Sequence, residues 1–425
     1  LSHPSVLGLA EVMDYPSVLS GDEKMLTKIA MTQESGLRID GHGAGLQKEQ
    51  IRGYRAAGIQ TDHECVTANE ARDRISQGMY VLIREGSAAK NLIDLLPAVT
   101  SHNARKFLFC TDDKHLDELV DEGSIDHAIR LAIAAGMEPL QAIQLATLNA
   151  AECYGLSGKG ALAAGFQADF IVLDDLETFN VAAVWKKGVK VAEQGVMLNA
   201  TPTQEKCSIR ISQSVHLPTI TKNDLAIPFS KGSKATVIEI IPNQLVTNKL
   251  IEDVDVVDGV FIPNLKLDQL KLAVIERHHN IHSIGLGIVK GFGLKQGAVA
   301  TTIAHDSHNA IVLGTNDLDM MIAIQALQDM QGGLVVVNEG RLLASMPLPV
   351  AGLMTQVPLD EAVQSLFELH EALHSIHPTL DFHLFLTLSF LSLPVIPSLK
   401  LTDTGLFDVT TFQHISIEAH EKADH

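Results

Sequence analysis

Cysteine and positive charge are both scarce in this chain. Its four cysteines, Cys65, Cys110, Cys153 and Cys207, lie far apart among 425 residues and form no Cys-x-x-Cys pair. This argues against a disulfide scaffold or a structural zinc knuckle, and it fits a reducing, cytoplasmic setting. Lys and Arg number 32 against 51 Asp and Glu, a formal net charge of −19. That balance argues against nucleic acid as a partner and favours a soluble, self-repelling protein acting on a small molecule. The opening Leu1-Ser-His-Pro4 has no Met, no basic region and no apolar core, so it does not read as a signal peptide. The uncharged stretch Leu384–Leu399 holds Pro394 and Pro397. It is shorter than a membrane span, reads as buried core, and leaves no membrane partner expected. Repeats and low-complexity tracts are absent as well.

Four metal-capable side chains each end a short apolar run. The runs are Val6-Leu-Gly-Leu-Ala-Glu11, Leu37-Arg-Ile-Asp-Gly-His42, Gly58-Ile-Gln-Thr-Asp-His63 and Arg105-Lys-Phe-Leu-Phe-Cys-Thr-Asp112. Helix-like sequence separates them. A ligand at the tip of each of several parallel strands is how a β/α barrel builds a metal site at its C-terminal face. The expected class is therefore α/β, with metal-assisted hydrolysis as the chemistry.

The rhythm supports that order. Ser20-Gly-Asp-Glu23 spells a helix cap for a helix running to about Thr32, and Thr67-Ala-Asn-Glu70 spells another. Helices are expected over Gln47–Ala57, from Thr67 to Gly78, over Ala88–Leu96, Ile125–Ala135 and Pro139–Asn149, with a strand over Met79–Ile83. Five strands with intervening helices make a partial parallel βα array over residues 1–154, too few to close a barrel of eight. Residues 155–201 read as a small β segment with a turn at Lys187-Gly188, and 202–234 as a linker. Residues 235–425 read as an α+β domain with strands at Thr236–Ile241, Leu272–Ile275, Gly285–Val289, Ala298–Ile303, Ala310–Leu313 and Gly333–Val337. Its helices are expected over Asp317–Gln331 and Leu359–His374.

Each candidate has an ordinary structural reading beside the functional one. Glu11 can be a metal ligand or a salt-bridged strand-end acid. His42 sits in Asp40-Gly-His-Gly-Ala-Gly45, where glycines allow the backbone to crowd an ion. His63 stands between Asp62 and Glu64, either of which can orient its ring, or simply hold a loop histidine. Arg84, Glu85 and Ser87 follow a strand and suit ligand recognition at its mouth, loop positioning, or an ordinary Arg–Glu surface pair. His305, Asp306 and His308 end another strand, as a lid, a second metal site or a polar turn. His278, His279 and His282 read as surface, because neighbours on a strand face opposite ways. Lys290-Gly-Phe-Gly293 lacks phosphate-loop spacing and reads as a tight connection.

Several strings together resemble the bacterial adenine deaminases of the amidohydrolase superfamily. They are Leu7-Gly-Leu-Ala-Glu-Val-Met-Asp-Tyr-Pro16, Gly41-His-Gly-Ala-Gly45, Thr61-Asp-His-Glu-Cys65, Met79-Tyr-Val-Leu-Ile-Arg-Glu-Gly-Ser87 and Cys110-Thr-Asp-Asp113. The likeness continues through Ile125-Asp-His127, Ala146-Thr-Leu-Asn149 and Gly165-Phe-Gln-Ala-Asp169. It then covers Val289-Lys-Gly-Phe-Gly-Leu294, Ile303-Ala-His-Asp-Ser-His-Asn309, Gly314-Thr-Asn-Asp317, Leu348-Pro-Val-Ala-Gly352 and Leu386-Thr-Leu-Ser-Phe390. The resemblance implies a metal-dependent hydrolase barrel, represented by strands four to eight, followed by the family's C-terminal domain.

The implied reaction is hydrolytic deamination of adenine to hypoxanthine and ammonia in purine salvage, with manganese or iron, possibly as a pair, favoured over zinc. The resemblance makes Glu11, His42, His63 and Asp112 metal ligands. It makes Asp112 the proton shuttle, with Asp113 or Glu64 supporting, and Arg84, Glu85, Ser87, His305, Asp306 and His308 substrate contacts. A homo-oligomer is expected. The signature of the cytidine-type deaminases, His-x-Glu followed by Pro-Cys-x-x-Cys, is absent. So is the family's His-x-His pair upstream of Glu11. A truncated chain is the favoured explanation, ahead of a split enzyme with a complementing N-terminal segment or an inactive remnant. The alternative functions are a non-catalytic purine-binding or scaffold fragment, and an amidohydrolase acting on a cyclic amide or another aminopurine.

Overall fold

Parallel strands alternate with helices through the first third of the chain, in a computed structural model that describes residues 1–3, 5–198 and 208–419. Two compact units emerge, Leu1–Thr203 and Gln204–His425. In the first, β1 (Gly8–Val12) pairs in parallel with β2 (Arg38–Gly41). Next, β3 (Thr61–Asp62), β4 (Tyr80–Arg84) and β5 (Phe107–Cys110) form a parallel three-stranded sheet. The Gln60 amide donates to the Ile39 carbonyl at 3.2 Å, so the entry to β3 is tied to β2. Strands β4 and β5 are apolar and buried on both faces, as parallel strands covered by helices should be.

The helices between them follow the expected rhythm, with informative shifts. Helix α1 (Tyr15–Ser20) is capped by Asp14, and α2 (Glu23–Glu34) by Asp22, whose carboxylate accepts the Met25 amide at 2.8 Å. Ser20 therefore ends one helix instead of capping the next. Helices α3 (Lys48–Ala56) and α4 (Ala68–Ser76) carry the capping boxes Gln47/Gln50 and Thr67/Glu70. The helix expected over Ala88–Leu96 shrinks to α5 (Leu92–Leu95), because side chains of the site hold residues 86–92 as a loop. After α6 (Leu116–Asp121) and α7 (Ile125–Ala134), the expected helix Pro139–Asn149 breaks at Thr147 into α8 (Pro139–Ala146) and α9 (Leu148–Cys153). A four-stranded antiparallel sheet follows: β6 (Phe170–Leu173), β7 (Val181–Lys186), β8 (Val189–Glu193) and β9 (Val196–Met197).

The second unit is built on an eight-stranded mixed sheet. Its strands are β10 (Lys234–Ile240), β11 (Thr247–Asp253), β14 (Leu270–Ile275), β15 (Ile284–Lys290), β16 (Ala298–Thr301), β17 (Ala310–Gly314), β18 (Gly333–Asn338) and β19 (Arg341–Pro347). Strands β12 (Val256–Val257) and β13 (Val260–Phe261) form a separate short hairpin. The order across the sheet is β11-β10-β15-β14-β17-β16-β18-β19, with β10 and β15 parallel and the other pairs antiparallel. The two edge strands, β11 and β19, were not expected from sequence. Lys249, Glu252 and Arg341 interrupt their apolar pattern, as suits an edge that must not recruit another chain.

Residues 202–207 of the expected linker lie outside the described residues. Beyond them Val215, Leu217 and Leu225 are buried in the core with β14, β16 and β17. The stretch after Leu384 begins with a helix, Leu384–Phe390, whose residues are buried apart from Leu386. Among the described residues no helix is long and apolar enough to cross a membrane.

Candidate active site

Each candidate side chain of the first unit sits where a strand ends. Glu11 is next to last in β1, His42 follows β2, His63 and Glu64 follow β3, Arg84 closes β4, and Asp112 and Asp113 come just after β5. Five strand ends thereby deliver their side chains to one place. The Nε2 atom of His63 is the hub: Glu11 Oε2 lies at 3.4 Å, Glu64 Oε1 at 3.4 Å and Asp112 Oδ2 at 3.8 Å. His42 Nε2 approaches Glu64 Oε1 at 3.6 Å, and the two imidazoles stand edge to face at 5.4 Å.

These spacings suit metal ligands better than direct hydrogen bonds. Ligand atoms about 2.1 Å from a common ion stand roughly 3 to 3.5 Å apart. Two groups converge closely enough among the described residues, Glu11–His42–His63 and His63–Glu64–Asp112. Among the described residues His42 Nδ1 is buried without a hydrogen-bond partner. Among the described residues no thiolate joins either group, and the Cys65 side chain beside His63 packs into the hydrophobic core. Imidazole with carboxylate is a donor set that accepts a first-row divalent metal.

Electrostatics tie the groups together. Burial works against the charged form of His63, yet the Glu64, Glu11 and Asp112 carboxylates outweigh it and raise the imidazole's pKa. Burial pushes the Glu11 carboxyl up, against the pull of His63 and His42. Arg84 is 2 % exposed, and its guanidinium reaches three acids: Glu64 at 2.6 Å, Asp112 at 2.8 Å and Asp113 at 3.2 Å. Among the described residues these three acids are its ion-pair partners.

The flanking acid Asp62 is taken up by the scaffold. Its carboxylate meets the Arg74 guanidinium at 2.9 Å and accepts the amides of Gly43 and Glu64 at 3.0 Å each. It orients the loops that carry His42 and His63, leaving the His63 Nε2 side to Glu64, Glu11 and Asp112. The glycines around His42 are required by neighbouring protein atoms. A Cβ on Gly43 would lie 2.6 Å from Asp62 Oδ2, and one on Gly41 would lie 2.2 Å from the Thr61 carbonyl. Sequence reasoning missed Arg74 and also Tyr54, whose hydroxyl accepts the His42 amide at 3.0 Å and donates to the Val12 carbonyl. A tyrosine on an amphipathic helix reads as ordinary core, and no local signal marks it.

The loop after β4 is held from several sides. Glu85 accepts the Leu92 amide at 3.2 Å; Ser87 donates to Glu118 at 2.5 Å and accepts the His115 amide at 2.7 Å. Asp113 Oδ2 accepts the Ala88 amide at 2.8 Å, and a Cβ on Gly86 would fall 1.7 Å from Asp113 Oδ1. These contacts hold the loop.

His305, Asp306 and His308 belong to the second unit. The His305 ring stacks on Phe390 at 4.6 Å, and its Nδ1 lies 3.7 Å from Asp306. His308 is partly buried, its Nδ1 without a hydrogen-bond partner among the described residues, and Arg277 donates to its carbonyl. Burial lowers the His308 pKa. They form no group of three converging ligands among the described residues. His278, His279 and His282 are exposed beyond the end of β14, and the glycines of Lys290–Gly293 form a turn whose amides donate to Asp268.

Comparison with known proteins adds a family. Residues 1–191 match the amidohydrolase family, and residues 244–413 match the adenine deaminase C-terminal domain. An adenine deaminase from Lysinibacillus sphaericus is 64% identical over 420 residues, covering 99% of this chain and 72% of the relative. One from Geobacillus kaustophilus is 54% identical, covering 97% and 72%. Among solved structures, a β-aspartyl dipeptidase from Fervidobacterium islandicum AW-1 aligns over 47% of this chain and 60% of its own at 19% identity, with a TM-score of 0.38.

Proposed function

The chain belongs to the adenine deaminase family, within the amidohydrolases, and from that premise we propose that it deaminates adenine hydrolytically at the strand-end cluster of its first unit. Adenine and water give hypoxanthine and ammonia. The observation that carries the placement of this chemistry is the approach of Glu11, Glu64 and Asp112 oxygens to within 3.4 to 3.8 Å of His63 Nε2.

Glu11, His42 and His63 would hold a divalent metal, with Asp112 at its edge. Manganese or iron is the choice the family resemblance favours. When bound, such a metal supplies acidification of water towards neutral pH, from a pKa of 15.7 to roughly 7 in the strongest case. Asp112 accepts the proton shed by the attacking water and returns it to the exocyclic nitrogen as that nitrogen leaves C6. Arg84 keeps Asp112 and Glu64 in register for that transfer, which makes it a positioning residue. Glu64 shares the Arg84 guanidinium and supports the shuttle, and Asp113 anchors the loop beside it. Glu85 and Ser87 shape the purine side of the mouth through the loop they hold.

The same reading assigns residues 1–154 to barrel strands four to eight, 155–201 to a small β segment and 235–425 to the C-terminal domain, whose core Val215, Leu217 and Leu225 join. It also assigns the protein to purine salvage in the cytoplasm, as a homo-oligomer. The test is the change in absorbance as adenine becomes hypoxanthine. The wild-type enzyme with Mn2+ should turn over, and Asp112→Asn should lower the rate by orders of magnitude. A near-normal Asp112→Asn rate removes Asp112 from the shuttle, and no wild-type turnover overturns the activity.

A further inference from the structure

The ladder between β1 and β2 breaks beside the candidate ligands. Leu9 pairs with Ile39 and Val12 with Gly41, so Ala10 and Glu11 together face Asp40. Two residues against one is a bulge, a device that re-aims a side chain and leaves main-chain groups without ladder partners. Those groups find side chains instead. The Gly41 amide donates to Thr61 Oγ1 at 3.0 Å, while the His42 amide donates at 3.0 Å to the Tyr54 hydroxyl, which itself donates to the Val12 carbonyl. Tyr54 is fully buried on α3, the helix that follows the His42 loop, and its ring edge stands 3.2 Å from where a Gly41 Cβ would be.

One hydroxyl thus bridges the residue after Glu11 to the amide of His42 itself. The geometry points to Tyr54 as a positioning residue whose hydroxyl, inserted where the ladder fails, sets the separation of Glu11 and His42 and so the affinity of the site for a divalent metal. This rests on reading Glu11 and His42 as ligands. Removing the hydroxyl leaves a buried amide and a buried carbonyl to re-pair with each other or go unmatched, and either outcome moves the strand ends. Outer-shell groups of this kind typically govern metal affinity by about 10 to 100-fold.

The experiment is calorimetric titration of the full chain with Mn2+ alone, together with the electron paramagnetic resonance spectrum of the bound ion. The proteins are wild type, Tyr54→Phe and Ile51→Val. Ile51 is fully buried on the same helix, so its trimming disturbs packing without touching the bridge. Tyr54→Phe should raise the Kd for Mn2+ about tenfold or more and change the spectrum, while Ile51→Val stays close to wild type in both. Equal Kd values for Tyr54→Phe and wild type would overturn the proposal. So would an Ile51→Val loss as large as that of Tyr54→Phe, because general loosening would then explain both. A wild-type chain that binds no Mn2+ overturns the ligand assignment itself.

Discussion

Arg84 and Asp112 form an ion pair at 2.8 Å in which the guanidinium is buried and the carboxylate partly open to solvent. The same guanidinium nitrogen also meets Glu64 at 2.6 Å. One cation thus fixes the proposed proton carrier and its supporting acid from behind, leaving the open side of Asp112 for substrate. Arg84→Lys keeps the charge but loses the planar fork that reaches several acids at once. It should lower kcat at least about tenfold with little change in the KM for adenine, a loss of roughly 1.4 kcal/mol or more in transition-state stabilisation. Steady-state kinetics check this; a kcat within about twofold of wild type would show that the pairing does not matter to the reaction.

The Arg74–Asp62 pair should matter to stability first. Both side chains are almost wholly buried, and breaking such a pair from one side typically costs about 3–5 kcal/mol. Arg74→Met should therefore move the urea midpoint strongly. Burial raises the Asp62 carboxyl, but Arg74 and the donated amides outweigh it, and its pKa is lowered. A depressed folded pKa gives stability that is present above the unfolded value, about 3.9, and lost as pH falls through the folded one. The stability gap between wild type and Arg74→Met should thus close in acid; a gap that stays constant from neutral pH down to about 2 would contradict the assignment.

Gly86 is a steric requirement of the site. An added methyl would lie 1.7 Å from Asp113 Oδ1 and 2.6 Å from the Thr111 carbonyl. Gly86→Ala should displace the loop, lower adenine turnover and raise the KM, while leaving global stability within about 1–3 kcal/mol of wild type, the usual range for overpacking. Unchanged kinetics in a folded variant would mean that this loop is uncoupled from the site.

Lys400 offers a pH test remote from the chemistry. It is fully buried, its one identified hydrogen bond goes to the Leu245 carbonyl at 2.8 Å, and burial pulls its pKa down to about 7. The folded value lies below the unfolded one, about 10.4, so the unfolded chain binds the extra proton between them and stability rises with pH across that window. Lys400→Met removes this dependence. Its stability advantage over wild type should be greatest near neutral pH and shrink towards pH 10, as read from urea midpoints. A difference independent of pH would show that Lys400 stays charged in the fold.

Much of the site could be read from local sequence, because strand ends and helix caps are local features. The apolar runs before Glu11, His42 and His63 and the Thr67/Glu70 cap lie where that reading put them. What escaped depends on distant partners. Arg74 and Tyr54 have meaning only through Asp62 and Val12, which the chain brings to them by folding. Ala88–Asn91 have helix-compatible sequence, yet contacts from Asp113 and Glu85 keep them as a loop, a tertiary override of propensity. The edge strands β11 and β19 were hidden because charge on an edge erases the alternation that marks an inner strand.

The most direct test of the account measures bound divalent metal and adenine turnover in the same samples of the complete enzyme, for wild type and His63→Ala. Because His63 is the hub of the cluster, both quantities should fall together in the variant, by orders of magnitude for turnover. They should also fall together when wild type is treated with chelator, and recover together when Mn2+ is restored. Adenine turnover that persists in His63→Ala, or in metal-stripped wild type, would contradict the central claim.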